Sequence, residues 1–302
     1  MNTILVAGSY NESMTIVSPT LPRAGETILG GTFSTGPGGK GANQAIGTTR
    51  LDADTTFLVM LGMDSVGDHA QQLLIREGLP VAAIMRTAAA PTGVALIMVD
   101  KQGANQISVA PGANGQLTAD AVPTALADSF DVLLCQLECP AELFGSLASR
   151  FPSAIKILNP APAGALSDEV LSHVDYLTPN ESELATLTSL PAGNEAEVIA
   201  ASLDLIGRGV RNVVATLGSR GALWHDGKQA RRYPAPMVEA RDTTGAGDAF
   251  NAGFAAGLAR GWDVSRSIEL GVQCGSFCVT RSGVIGALPT SAELICQVGV
   301  QP

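Results

Sequence analysis

The apolar positions of this chain fall into short blocks. Ile4–Ala7, Thr55–Leu61, Val132–Leu137, Ile155–Leu158 and Val213–Leu217 each run for four to seven residues and are rich in leucine or β-branched side chains. Short, mainly apolar blocks of that length predict strands covered on both faces, as in a parallel sheet. Helix-length segments separate them: Gly41–Leu51, Ser65–Gly78, Pro140–Arg150, Asn180–Thr188, Glu195–Arg208, Gly245–Arg260 and Ser265–Arg281. This alternation predicts an α/β fold, a doubly wound and mostly parallel central sheet with helices on both faces.

Two regions break the rhythm. Residues 14–35 and 81–110 alternate apolar with polar positions, and Thr92–Val99, a turn at Asp100–Gly103 and Ala104–Val109 read as a hairpin. They predict a small β lid over the main sheet. Such a sheet leaves one face to be covered by ligand or by a second subunit, so a homodimer through the lid is expected. With no tandem repeat, low-complexity stretch or long linker, residues 1–302 read as one domain carrying that lid.

Composition narrows the function. A chain of 302 residues, 46% apolar and 15% charged, is neither disordered nor fibrous. Its net charge of −10 opposes nucleic acid and anionic membranes, so any bound anion must be held by local amides or a metal. The first residues, Met1–Gly8, lack the basic segment and apolar length of a signal peptide, and no later run reaches a membrane span, which places the chain in the cytoplasm. The cysteines Cys135, Cys139, Cys274, Cys278 and Cys296 are odd in number. The spacing of Cys135/Cys139 and Cys274/Cys278 would suit a metal on one helix face, but neither pair has a nearby His, and they read as small apolar residues. His69, His173 and His225 read as surface residues, and no Gly-x-Ser-x-Gly elbow adjoins them.

The most informative segment is Asp242-Thr-Thr-Gly-Ala-Gly-Asp248, followed by a helix packed with Ala and Gly. At the start of that helix the amides of Gly245, Ala246 and Gly247 can converge on an anion. Asp248 lies in the first turn, where the helix dipole alone favours a carboxylate. Beside an anion site, however, a carboxylate is repelled unless it has chemical work, and accepting a proton from a hydroxyl next to a phosphate fits.

A second cluster, Gly36-Pro-Gly-Gly-Lys-Gly-Ala-Asn43, satisfies G-x-G-x-x-G at Gly36, Gly38 and Gly41, with Asp64 further on. That pattern permits a dinucleotide-dependent oxidoreductase, but Gly30–Thr35 is too polar for the central strand such a site needs. A P-loop is absent, because Gly41 follows Lys40 where Ser or Thr would hold magnesium. The cluster reads better as a substrate loop in which Lys40 and Asn43 present donors to oxygen-rich groups. Asn11, Glu138, Asn159, Asn180, Glu183, Thr216, Gly218 and Ser219 follow predicted strands, at the edge where open α/β sheets bind ligands. Asn180, with Glu183 three residues on, also suits a plain helix cap.

Taken together, Gly38–Asn43, Gly62-Met-Asp-Ser-Val-Gly67, Asn159-Pro-Ala-Pro-Ala163, Thr178-Pro-Asn-Glu-Ser-Glu183 and Asp242–Asp248 resemble, in order and over nearly the whole chain, the PfkB (ribokinase-like) family of sugar and nucleoside kinases. The resemblance implies ATP-dependent phosphorylation of a primary hydroxyl, with ribose O5 the leading acceptor and deoxyribose, a ketose or a nucleoside as alternatives. It implies that Asp248 is the catalytic base and Gly245, Ala246 and Gly247 the anion hole. Asn11, Ser13, Gly39, Lys40, Asn43, Glu138 and Asp248 would contact the sugar. Asn180, Thr216, Gly218, Ser219, Gly221 and Gly247 would bind ATP, and Glu183 would hold Mg²⁺ through water. A potassium ion is implied near Asp242, Thr244, Val279, Ser282, Gly283 and Ala287, bound mainly by backbone carbonyls. One departure stands out: the family's Gly-Ser-x-Asn-x-Asp reads Gly8-Ser-Tyr-Asn-Glu-Ser13 here, which puts a hydroxyl where a carboxylate grips sugar hydroxyls.

Overall fold

The computed structural model describes residues 2–124, 126 and 129–298. In chain order its strands are β1 (Thr3–Ala7), β2 (Asn11–Val17), β3 (Thr32–Gly38), β4 (Asp54–Gly62), β5 (Ile84–Thr87), β6 (Gly93–Val99), β7 (Asn105–Ala110), β8 (Val132–Cys135), β9 (Ile155–Leu158), β10 (Tyr176–Leu177), β11 (Val213–Thr216), β12 (Ala222–His225) and β13 (Ala230–Tyr233). The helices are α1 (Lys40–Arg50), α2 (Ser65–Arg76), α3 (Glu142–Arg150), α4 (Asp168–Ser172), α5 (Glu181–Thr188), α6 (Glu195–Gly207), α7 (Ala246–Ala259), α8 (Val264–Cys278) and α9 (Ser291–Val298).

Among the described residues, nine strands form one sheet in the order β13-β12-β11-β10-β9-β8-β1-β4-β5. It is parallel from β5 to β11 and ends in the antiparallel pair β12 and β13. Side chains alternate across it and feed two cores. Ile4 and Val6 join Ala45, Ile46, Phe254 and Ile268 of α1, α7 and α8, whereas Leu5 and Ala7 join Phe144, Leu147, Val198 and Leu205 of α3 and α6. Burying a side chain such as Phe57 or Phe254 completely contributes about 1.5–3 kcal/mol. This two-sided burial explains why the central strands read as mainly apolar blocks.

The remaining strands make a separate sheet, β3-β2-β6-β7. The lid boundaries expected from sequence need correction. Ile84–Thr87 pairs in parallel with Val59–Gly62 at the edge of the main sheet, because β4, α2 and β5 form a βαβ unit that buries Ile84. The small sheet also extends further inward than 14–35, since Asn11 pairs with Gly38. Its strand β3 belongs to this sheet and not to the central one, and Asp64 caps α2 by accepting from Gly67 N at 2.7 Å. Neither the strand nor the acidic residue that a dinucleotide site requires is therefore in place.

Cys135, Cys139, Cys274 and Cys278 are buried and unpaired, while Cys296 is exposed. Burial pushes the four interior thiols up, those of Cys139 and Cys278 to about 12. Cys135 ends a strand instead of standing on a helix face. His69 is exposed and His173 half-buried, but His225 corrects the surface reading. It is buried on β12, where its Nδ1 accepts from Gly227 N at 2.8 Å. Among the described residues no helix is long and apolar enough to cross a membrane.

Candidate active site

Helix α7 begins at Gly245, whose φ of +80° is left-handed and whose missing side chain leaves room for Val284; a Cβ there would meet Val284 Cγ1 at 2.6 Å. The turn directs the first amides of α7 into a cleft of about 910 Å³ at the carboxyl edge of the parallel strands. Among the described residues the amides of Gly245 and Gly247 make no protein hydrogen bond, whereas Ala246 N donates to Thr243 O at a long 3.3 Å. Of the three amides expected to converge on an anion, those of Gly245 and Gly247 are thus left without a protein acceptor among the described residues.

Asp248 is buried beside them. Asn43 Nδ2 donates to its Oδ2 at 2.8 Å and Gln44 Nε2 to its Oδ1 at 2.9 Å. Burial pushes this carboxyl up, and Glu138 adds to the rise; Lys40 and the two amides oppose it, and the net direction is upward. A buried carboxylate with a raised proton affinity, held in one orientation, suits a base that must accept a hydroxyl proton.

Helix α1 supplies three of these groups because Lys40, Asn43 and Gln44 share one face by i, i+3 and i+4 spacing. Gly41 lets the helix press against the end of β1; a Cβ there would lie 2.4 Å from Ser9 N. The approach places Lys40 N at 2.9 Å from Glu138 Oε2, which also accepts from Ser9 Oγ and from Asn11 Nδ2 at 3.4 Å. Glu138 Oε1 has no protein partner among the described residues. Burial alone would lower the Lys40 ammonium, but Asp248, Glu138 and Glu183 outweigh it and hold it protonated above its ordinary range.

Ser13 lies two residues beyond Asn11 on β2 and so on the same face of the small sheet. Glu12 faces the other way and accepts from Tyr10 Oη at 3.2 Å, so it does not replace the carboxylate missing at position 13. Gly39, just before α1, has its α-carbon packed on Ser9, Tyr10 and Asn11, in the same corner.

Along the rest of the cleft the lining includes Asn180, Glu183, Thr216, Gly218, Ser219 and Gly221, as the sequence predicts, together with apolar Pro236, Met237 and Val238. Asn180 and Glu183 form a reciprocal capping box at 2.8 Å each way, so the plain cap and the place in the cleft hold together. Glu183 Oε2 accepts from Asn180 N, and Oε1 has no protein partner among the described residues; burial pushes its carboxyl up.

Asp242 Oδ1 accepts from Thr244 N at 2.9 Å and its Oδ2 from Gly283 N at 3.0 Å, bringing the segment before α7 against the one after α8. Burial would raise the Asp242 carboxyl, but these donors more than compensate and hold it low. Val279 O already accepts from Arg241 N at 2.7 Å and Asp242 N at 3.3 Å. Among the described residues, no group of three or more His, Cys, Asp or Glu side chains is placed to hold a metal.

Sequence reasoning gave no role to Gln44, Gln136, Thr178 or Asn251, all buried near Asp248. Asn251 had a signal: it is a lone amide in an otherwise apolar helix, three residues after Asp248 and so on its face.

A doubly wound sheet with an open helix start, a buried carboxylate and a cleft of this size is the arrangement of a small-molecule phosphotransferase. Residues 1–291 match the model of the pfkB family carbohydrate kinases. Ribokinase of Haemophilus influenzae is 36% identical over 97% of this chain and 97% of its own. Among solved structures, Thermotoga maritima ribokinase superposes with a TM-score of 0.91 at 32% identity, covering 99% of each chain. Arabidopsis thaliana ribokinase complexed with ribose and ATP gives 0.89 at 29% identity, covering 97% of each. The chain belongs to the pfkB family of carbohydrate kinases.

Proposed function

We propose that this chain transfers the γ-phosphoryl group of ATP to the primary hydroxyl of ribose, giving ribose 5-phosphate and ADP. The observation that carries the reading is the Asp248 carboxylate, buried at the start of α7 between two amide donors and in the field of Lys40. Asp248 takes the hydroxyl proton as the oxygen–phosphorus bond forms and the bond to the β-phosphate oxygen breaks. Gly245 and Gly247 amides stabilise charge on the transferring group. Similarity to ribokinases over 97% of the chain supports ribose as acceptor. Ser13 favours a second acceptor that asks less of this corner, such as deoxyribose.

For magnesium, Glu183 offers one unpartnered carboxylate oxygen in the cleft and would hold the ion through water. When bound, the ion neutralises charge on the phosphates. The segments around Asp242, Thr244, Ser282, Gly283 and Ala287 offer the hard oxygen donors potassium takes, with Val279 O already engaged. ATP as co-substrate and five free cysteines support a cytoplasmic setting. Exposed Ile16, Phe33 and Leu96 on one face of the small sheet support a homodimer there, which sedimentation as a monomer at micromolar concentration would exclude.

The test is an ATP-coupled assay over ribose, deoxyribose, fructose and nucleosides, with and without potassium. Ribose is expected to give the highest kcat/KM, and turnover of a nucleoside above every free sugar would overturn the assignment.

A further inference from the structure

The groups that hold Asp248 do not stop at its two donors. Gln44 is fully buried and uses every polar atom of its amide. Its Nε2 donates to Asp248 Oδ1 at 2.9 Å and to Asn159 Oδ1 at 3.1 Å, and its Oε1 accepts from Gln136 Nε2 at 2.6 Å. From Asn159 the chain of bonds continues. Asn159 Nδ2 donates to Thr178 O at 3.0 Å, Thr178 Oγ1 to Asn251 Oδ1 at 2.6 Å, and Asn251 Nδ2 to Gly247 O at 2.8 Å. Gly247 is joined to Asp248 by a peptide bond, so the path closes on itself. It ties α1 and the segments that follow β9 and β10 to the turn of α7 that carries both base and anion site.

We propose that Gln44 is a positioning residue for phosphoryl transfer: through this closed ring it fixes the Asp248 carboxylate relative to the amides that receive the transferring group. This rests on Asp248 acting as the base. Two arguments support it. Three buried apolar residues of similar volume would fill the space of Gln44, Gln136 and Asn159 without the risk that buried amides carry, a risk already visible at Gln136 Oε1, which is buried without a partner, whereas every polar atom of Gln44 is paired and so fixes one geometry at Asp248. Gln44 also cannot rotate its amide, since a flip would set its oxygen against the acceptor oxygens of both Asp248 and Asn159. The glycine at position 8 belongs to the same arrangement, because a Cβ there would lie 2.0 Å from Gln136 Oε1.

The groups facing Asp248 are Lys40 from α1, Glu138 from the end of β8, Glu183 from α5 and Cys278 from α8. None changes in a Gln44→Met variant, which keeps the volume and removes the donor. Loss of a hydrogen bond to a carboxylate raises its proton affinity. The variant is therefore expected to lose about tenfold to a hundredfold in kcat, with the KM values for sugar and ATP within about threefold, and its acid limb in kcat against pH moved up by about one unit. Gln136→Met, which frees the far end of the Gln44 amide, is expected to move both readouts in the same direction by less. Thermal unfolding checks that each variant is folded, and if Gln44→Met is not, Gln136→Met decides alone. A folded variant with kcat and acid limb within twofold and 0.2 units of the parent, roughly the resolution of such profiles, overturns the proposal, as does a rise in sugar KM with an unmoved acid limb. Asp248→Asn run alongside separates the two readings: ordinary turnover there removes the base itself, whereas an inactive Asp248→Asn beside an unaffected Gln44→Met removes only the role of Gln44.

Discussion

The backbone nitrogen of Lys40 donates to Glu138 Oε2 at 2.9 Å, so the first residue of α1 is fastened to the loop that leaves β8. Ser9 and Asn11 converge on the same oxygen, so Glu138 gathers the ends of β1, β2 and α1 at one corner, and its second oxygen has no protein partner among the described residues. Glu138→Gln would turn part of this acceptor into a donor. A rise of about tenfold to a hundredfold in the KM for sugar is expected, with KM for ATP little changed, in steady-state kinetics.

Asp248→Asn keeps the shape of the side chain but removes the proton acceptor. Its kcat is expected to fall by roughly 10²–10⁴ while the protein melts within a few degrees of the parent. Single-turnover measurement with saturating ATP and sugar checks this.

Ser13→Asp restores a carboxylate on the face of β2 that Asn11 shares. If ribose occupies the corner, its KM is expected to drop by about tenfold or more, since hydrogen bonds to charged groups are worth about 1.5–3 kcal/mol. An unchanged KM would place the sugar away from β2.

Asp64 joins the two sheets. Its carboxylate accepts from Gly67 N at 2.7 Å, from Thr92 N at 2.7 Å and from Thr92 Oγ1 at 2.7 Å. Burial would raise its carboxyl, but these donors and Arg86 more than offset that and hold it low. A carboxylate whose proton affinity is lower folded than unfolded stabilises the fold above its unfolded range near 3.9, and that contribution is lost as pH falls through the folded value. Urea unfolding between about pH 5 and 3 is expected to show a steeper loss of stability for the parent than for Asp64→Asn.

The fold was legible where burial is two-sided. Ile4–Ala7 and Val213–Leu217 read as central strands because both faces meet a core, and both are central. Tyr176–Leu177 was not, because two residues carry no period. Ile84–Thr87 reads by its alternation as part of the small sheet but lies at the edge of the main one: half-buried edge strands look alike in either place, and only the βαβ connection decides. In the site, Lys40 and Asp248 were legible from glycine spacing, since backbone approach to a ligand requires it. The contacts of Gln44 with Asn159 and of Thr178 with Asn251 were not, because they join residues 115 and 73 positions apart through side chains of no distinctive spacing.

Four of the five thiols are sealed in the interior and the fifth lies in the open on α9. A maleimide added without denaturant would therefore meet one reactive sulfur per native chain and all five in an opened one. Counting labels by intact mass would then report the fraction of molecules that unfold during catalysis, storage or heating, with no engineered reporter in the protein.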